Sequence, residues 1–109
     1  MATLHIVGKA GDYRIMWLAS CYPKMVIGKM HGDFLAFCYD EMYLGNFHGD
    51  ALQEACEILK MRNKDHFWPY EHKKAYEISV VQEILSLNIE KMQEDIEVPV
   101  WFPDYLNHC

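Results

Sequence analysis

The chain is short of the residues that mark non-globular classes. Six glycines and four prolines in 109 residues are too few for a collagen-like or low-complexity chain. Apolar residues make up 51% of the sequence and charged residues 24%, which is not the composition of a disordered protein. A chain of this length can bury one core of its own. We therefore expect a single domain over residues 1–109.

Positive charge is also in short supply. Lysine and arginine total 10 against 16 acidic residues, for a net charge of −6. This balance argues against a long nucleic acid or a membrane surface as partner, since both attract an excess of cations. Residues 1–8 lack the charged start and the apolar stretch of a signal peptide, and no apolar run approaches the length of a membrane span. We expect a cytoplasmic protein.

Motifs that would name a reaction are missing. The sequence has no Gly-x-Ser-x-Gly, no Gly-x-Gly-x-x-Gly and no Gly-Lys-Ser/Thr. Its four cysteines, at positions 21, 38, 56 and 109, form no Cys-x-x-Cys pair, so a zinc knuckle or a thioredoxin-type site has no basis. Two disulfides are conceivable, but we favour buried free thiols. We predict no catalytic residue, no metal and no cofactor, and favour a non-enzymatic role.

The first half of the chain has the alternating pattern of strands. Short breaks separate the runs, so consecutive strands should be antiparallel neighbours. Turns are predicted at residues 31–33 and 40–41, and the strands over residues 12–21, 25–30, 34–39 and 42–47, with a further edge strand over 4–7.

Helical spacing begins after Asp50, which we predict as a helix N-cap. A second helix is predicted from about Pro69 to about Glu97, a length near 40 Å. The predicted fold class is α+β: an antiparallel meander of four or five strands followed by two helices packed on one face, the second helix long. The strands occupy 1–48, the helices 49–97, and an aromatic C-terminal tail 98–109.

The triplet His-Gly-Asp occurs at 31–33 and again at 48–50. Paired histidines and aspartates can bind a metal or transfer protons. Each triplet also has a local explanation, because Gly-Asp after a strand makes a turn and Gly-Asp before a helix makes a cap. We favour the turn and the cap.

A basic and aromatic segment spans residues 60–74, with five cations against two acids. Aromatic rings beside cations can stack a base and neutralise a phosphate. A small nucleotide-like anion is therefore one hypothesis, with the contacting side chains Arg62, Lys64, His66, Trp68, Tyr70, His72 and Lys73. In the alternative, which we favour, the aromatic rings fill the corner between two helices and the cations are solvated.

Downstream of this segment the charge reverses. Residues 77–104 carry seven acids and one base, Lys91. The predicted second helix has more than one apolar stripe, which favours self-association or a partner. The tail either covers the core or is received by another chain. The predicted interface residues are Val80, Ile84, Leu87, Trp101, Phe102 and Tyr105.

These patterns favour a small acidic, non-catalytic interaction protein, such as an inhibitor, an immunity-type protein or a regulatory factor. We expect it to form a homodimer and to bind an as yet unidentified protein target through its acidic face. The alternative is a binding module or minor enzyme for a small anionic, nucleotide-like ligand held by residues 60–74.

Overall fold

A computed structural model of the chain describes residues 3–18, 24–42, 50–64 and 71–98. The described residues form a five-stranded antiparallel sheet and two helices, which confirms the predicted α+β class. Across the sheet the strand order is β4-β3-β2-β1-β5. The elements, in chain order, are β1 (Thr3–Ala10), β2 (Tyr13–Leu18), β3 (Lys24–His31), β4 (Phe34–Met42), α1 (Ala51–Lys64), α2 (Glu71–Ser86) and β5 (Ile89–Glu97).

Two-residue Gly-Asp turns join β1 to β2 and β3 to β4. Gly11 and Gly32 lead these turns with φ angles of 57° and 63°, in the left-handed region that glycine enters without steric cost. The turn predicted at residues 31–33 is therefore confirmed. These tight connections make the first four strands a meander of antiparallel neighbours.

The turn predicted at residues 40–41 is wrong. β4 runs through both residues, which pair with Val26 and Met25 of β3. Continued pairing with a long neighbouring strand outweighs the turn preference of two adjacent acids. The prediction of a strand over 42–47 has its first residue in β4, and residues 43–47 lie outside the described residues.

The strand predicted over residues 4–7 exists as part of β1, but it is not at an edge. β1 lies between β2 and β5, and the edges of the described sheet are β4 and β5. The prediction placed this strand at an edge because the partner on its other side comes from the far end of the chain.

The prediction of a helix as far as Glu97 is wrong for the residues after Ser86. The Ser86 hydroxyl donates to the Glu83 carbonyl at 2.7 Å, and the Leu87 amide donates to the Ile84 carbonyl at 3.1 Å, which closes the last turn of α2. Residues 89–97 then form β5, paired antiparallel with β1. Neither described helix has the length and apolarity needed to cross a bilayer.

Both helices contribute to a core on one face of the sheet, which we call the helix face. The Trp17 indole donates to the Ala51 carbonyl at 3.0 Å, which fixes the start of α1 against β2. The buried residues of this core are Ala10, Tyr13, Ile15, Trp17, Met25 and Ile27 from the sheet, and Ala55, Ile58, Leu59, Val80, Val81 and Ile84 from the helices.

Val7 marks a β-bulge in β1, where the pairing with both neighbouring strands shifts. A bulge reverses which face the following side chains occupy. Ile6 accordingly packs on the opposite side of the sheet from Ala10, although both are even-numbered. Gly8 follows the bulge and lies so close to α1 that a Cβ there would stand 2.5 Å from Leu52 Cδ1.

A second apolar cluster lies on the other side of the sheet, which we call the second face. Leu4, Ile6, Met16, Leu18 and Val26 are buried there. Leu35, Met92, Ile96 and Val98 pack around them and are partly buried. The sheet is therefore apolar on both faces, as the two-sided pattern of β2 indicates.

Candidate functional site

The residues of the predicted ligand segment lie at the junction of α1 and α2. Arg62 is half-buried near the end of α1, and Lys64 is the last residue of that helix. His72 and Lys73 belong to the first turn of α2, for which the structure describes the backbone. His66, Trp68 and Tyr70 lie outside the described residues. The anion site over 60–74 stays a prediction.

The predicted interface residues fall in different places. Val80 and Ile84 are buried in the core between α2 and the sheet, so their side chains are used within the chain. Leu87, just after α2, is 39% exposed. Trp101, Phe102 and Tyr105 lie outside the described residues.

An exposed acidic strand forms one edge of the sheet. β5 carries four carboxylates, Glu90, Glu94, Asp95 and Glu97, against the single cation Lys91, and all five residues are exposed. Because β5 is an edge strand of the sheet formed by the described residues, every other residue along it turns its backbone N–H and C=O away from that sheet. The strand therefore offers hydrogen-bonding groups and negative charge along one line.

A hydrogen bond and an ion pair tie β5 to its neighbour. His5 Nδ1 lies 2.7 Å from Asp95 Oδ1, and Lys9 Nζ lies 3.5 Å from Glu90 Oε2. Each pair joins directly opposed residues of β1 and β5, and all four side chains are exposed to solvent. Glu94 and Glu97 form no ion pair with any residue of the described ranges. The outer edge of β5 thus keeps a net negative charge.

A cavity of about 380 Å³ opens beside this edge, between the bulge of β1 and the start of α1. Val7 and Leu52 are apolar residues of its lining, and Asp50 and Asp95 contribute carboxylates. His5, Lys91 and Gln93 complete its polar lining. Two carboxylates against one ammonium group give the cavity more acidic than basic side chains. We call it the β5 recess.

Asp50 caps α1, as the sequence predicts. Its Oδ1 accepts from the Leu52 amide at 3.0 Å and from the Gln53 amide at 3.3 Å, and its carbonyl accepts from the Glu54 amide at 3.1 Å. The N-terminal amides that would attract an anion already have a carboxylate. The β5 recess is therefore suited to a cationic or polar group more than to an anion.

The cysteines described by the structure are free thiols. Cys38 and Cys56 are partly buried, and Cys38 Sγ donates to the Ile27 carbonyl at 3.3 Å. Burial raises the pKa of the Cys38 thiol to about 11, with Lys29 opposing and Glu83 adding to the shift. Burial also raises the pKa of Cys56. Thiols with raised pKa values are poor nucleophiles at neutral pH.

Within the described ranges, no three His, Cys, Asp or Glu side chains lie together as a metal site would require. His31 is exposed beside the Gly32-Asp33 turn. His48 lies outside the described residues. The interpretation of the first triplet as a turn, and of Asp50 as a cap, accounts for the described parts of both triplets.

Models of known protein families, curated proteins and solved structures gave no match to this chain. Sequence reasoning located the acids of residues 90–97 but placed them on a helix, so it missed the edge strand and the recess. His5 and Asp95 are 90 positions apart, and no local spacing indicates that they meet. Ser86 and Asn88 favour the end of a helix, and they are the local signal that could have shown that α2 stops before the acids of residues 90–97.

Proposed function

We propose that this protein is a small acidic, non-catalytic interaction protein whose edge strand β5 binds a basic segment of a partner protein. An inhibitor, an immunity-type protein or a regulatory factor would act in this way. The observation that carries the proposal is the line of four exposed carboxylates on a sheet edge, bordered by an acidic recess.

Backbone and charge support the same kind of partner. An extended peptide can add to a free sheet edge through main-chain hydrogen bonds, while its alternate side chains give specificity. Glu94 lies on the second-face side of β5 and Asp95 on the helix-face side, because β5 alternates as a strand and Ile96 packs in the second-face cluster. A partner with arginine or lysine on both sides would therefore meet a carboxylate on each.

The β5 recess supplies a place for one anchoring side chain. Hot spots in interfaces are few and fill well-defined pockets, and arginine is enriched among them. The methylene groups of an arginine could pack against Val7 and Leu52. Its guanidinium group could donate hydrogen bonds to the Asp50 and Asp95 carboxylates. We propose this residue type as the anchor.

Exposed charges on an edge strand also have a purely protective use, since like charges prevent two sheet edges from pairing. This protective role makes no demand on a partner. It explains repulsion between copies of the chain but not the recess beside the strand. The two explanations differ in whether a basic peptide binds at β5 more tightly than elsewhere.

The homodimer expected from the sequence remains part of the proposal, with a restriction. Two β5 edges would bring eight carboxylates together, so self-association through β5 is disfavoured. The exposed Leu87, on the helix face beside the Gly11 turn, is a better point of self-contact. Static light scattering should give twice the 12.9 kDa mass of one chain, and Leu87→Lys should reduce it. A monomer mass at 100 µM would remove the homodimer from the proposal.

The binding test uses a peptide of alternating arginine and threonine as the probe. Glu94→Lys should weaken its affinity for the full chain by about tenfold, because one attractive contact becomes a repulsive one. Glu57→Lys is the matched control, since it changes the net charge equally on the exposed side of α1. Isothermal titration at low and high salt measures both variants.

Equal weakening by Glu94→Lys and Glu57→Lys would mean that the peptide responds to net charge alone, and would overturn the proposal. A nucleotide panel in the same titration addresses the alternative. Tight binding of one nucleotide, lost in Arg62→Ala, would favour the anion-binding module over the interaction protein.

A further inference from the structure

The second face of the sheet is buried without a described element to bury it. Leu4, Met16 and Val26 have no exposed surface, and Leu18 is 1% exposed. Both described helices pack on the helix face, and the second-face cluster contains no residue from either helix. Side chains on an open sheet surface remain in contact with solvent. Other atoms of the chain therefore cover this face.

The chain leaves the described residues at the margin of this cluster. Val98, directly after β5, is the last described residue and packs against the buried group. Residues 99–109 follow it, with five bulky apolar side chains: Val100, Trp101, Phe102, Tyr105 and Leu106. Fully extended, these eleven residues reach about 36 Å, while crossing from β5 to β3 takes about 14 Å. The tail therefore starts beside the second-face cluster and is long enough to cross this face from β5 to β3.

The other segments outside the description fit this face less well. Residues 19–23 connect the adjacent ends of β2 and β3. Residues 65–70 join two helices that both lie on the helix face. Residues 43–49 must lead from β4 to the start of α1, which also lies on that face. Each of these segments has to join two described elements at its ends.

We infer that residues 99–109 fold back over the second face of the same chain and complete a second core layer, with Trp101 and Phe102 over Met16 and Val26. Of the two roles that the sequence left open for the aromatic tail, this assigns the cover over the core in place of contact with another chain. The inference does not depend on the proposed function of β5, because the tail begins after β5 ends at Glu97. The fold would then be a sheet between a helical layer and a covering segment.

Two methionines provide a paired test. Met16 on the second face and Met25 on the helix face are both wholly buried and lie in adjacent strands. In the full chain carrying Trp101→Ala and Phe102→Ala, peroxide should oxidise Met16 at least tenfold faster and Met25 less than twofold faster, as followed by peptide mass spectrometry. Leu59→Ala, on the helix face, is the control and should not expose Met16 selectively.

Unchanged protection of Met16 in the tail variant would overturn the inference. If both methionines become reactive together, the variant has lost its fold. The test is then made on the unaltered chain by nuclear magnetic resonance. Nuclear Overhauser contacts between the rings of Trp101 or Phe102 and the Met16 methyl group then support the inference, and their absence refutes it. Contacts that disappear on dilution would assign the cover to a second copy and also refute it.

Discussion

Tyr13 shows how one residue joins the sheet to a helix. Its ring is buried in the helix-face core, and its hydroxyl donates to Glu83 Oε2 of α2 at 2.6 Å. The Lys29 ammonium group lies 5.1 Å from the centre of the ring. One side chain thus combines apolar burial, a charge-assisted hydrogen bond and a cation–π contact.

Replacing this hydroxyl tests the contribution of the hydrogen bond. Tyr13→Phe should lower the free energy of unfolding by about 1.5–3 kcal/mol, the range for hydrogen bonds to charged groups. Glu83→Gln keeps an acceptor oxygen and should lose less. Urea unfolding followed by circular dichroism measures both variants. A Tyr13→Phe variant as stable as the unaltered chain would contradict this account.

Cys38 gives the stability a dependence on alkaline pH. Its folded-state pKa of about 11 is above the ordinary value of 9.0, because burial disfavours the thiolate. The folded state therefore favours the neutral thiol, and this stabilisation is complete below pH 9 and is lost as the pH rises towards 11. The free energy of unfolding should fall less steeply between pH 9 and 10.5 in Cys38→Ala than in the unaltered chain. Identical slopes would show that Cys38 is not responsible.

At the scale of elements, Gly8 allows α1 to approach the sheet. A Cβ at this position would lie 2.5 Å from Leu52 Cδ1 and 3.2 Å from the Glu90 carbonyl oxygen. Gly8→Ala should therefore lower the free energy of unfolding by about 1–3 kcal/mol.

The companion variant identifies the cause of this loss. Leu52→Ala removes the side chain that the new methyl group would meet, so the double variant should lose at least about 0.5 kcal/mol less than the sum of the two single losses. Purely additive losses would attribute the cost of Gly8→Ala to the Glu90 carbonyl or to the backbone instead.

Local patterns predicted the elements whose partners are close in sequence. The strand meander, the Gly32-Asp33 turn and the Asp50 cap all follow from residues within a few positions of one another. β5 does not, because glutamate, lysine, methionine and glutamine favour helix intrinsically. Pairing with β1 overrides that preference, and the nearest paired residues, Ala10 and Ile89, are 79 positions apart. The candidate site depends on this same pairing, which is why its geometry was not predictable.

The spacing of the apolar residues explains why the second helix was predicted to continue to Glu97. Ile78, Val81, Leu85, Met92 and Ile96 follow one another at steps of three, four, seven and four residues, a spacing close to a heptad repeat. Leu85 packs on the helix face while Met92 and Ile96 pack on the second face, so this series crosses from a helix to a strand. Steps of four and seven residues fit a helix. A step of four also keeps two residues on the same face of a strand, as Met92 and Ile96 are in β5. The acids between these positions belong to the edge, and the apolar residues belong to two different layers.

At the scale of the whole molecule, the negative charge has a definite position. The excess of acids lies on α2, on β5 and in the tail, and the edge of β5 concentrates it beside the recess. The helix face is closed by α1 and α2, and by our inference the second face is closed by the tail. β5 then remains as the exposed, charged edge that we propose as the binding surface for a partner.

Amide-resolved nuclear magnetic resonance with the arginine-threonine peptide tests this central claim most directly. Titrated into the full chain, the peptide should shift the amides of residues 89–97 and of His5, Ile6 and Val7 most strongly, and high salt should reverse the shifts. Largest shifts within residues 60–74, or along β4, would contradict the account.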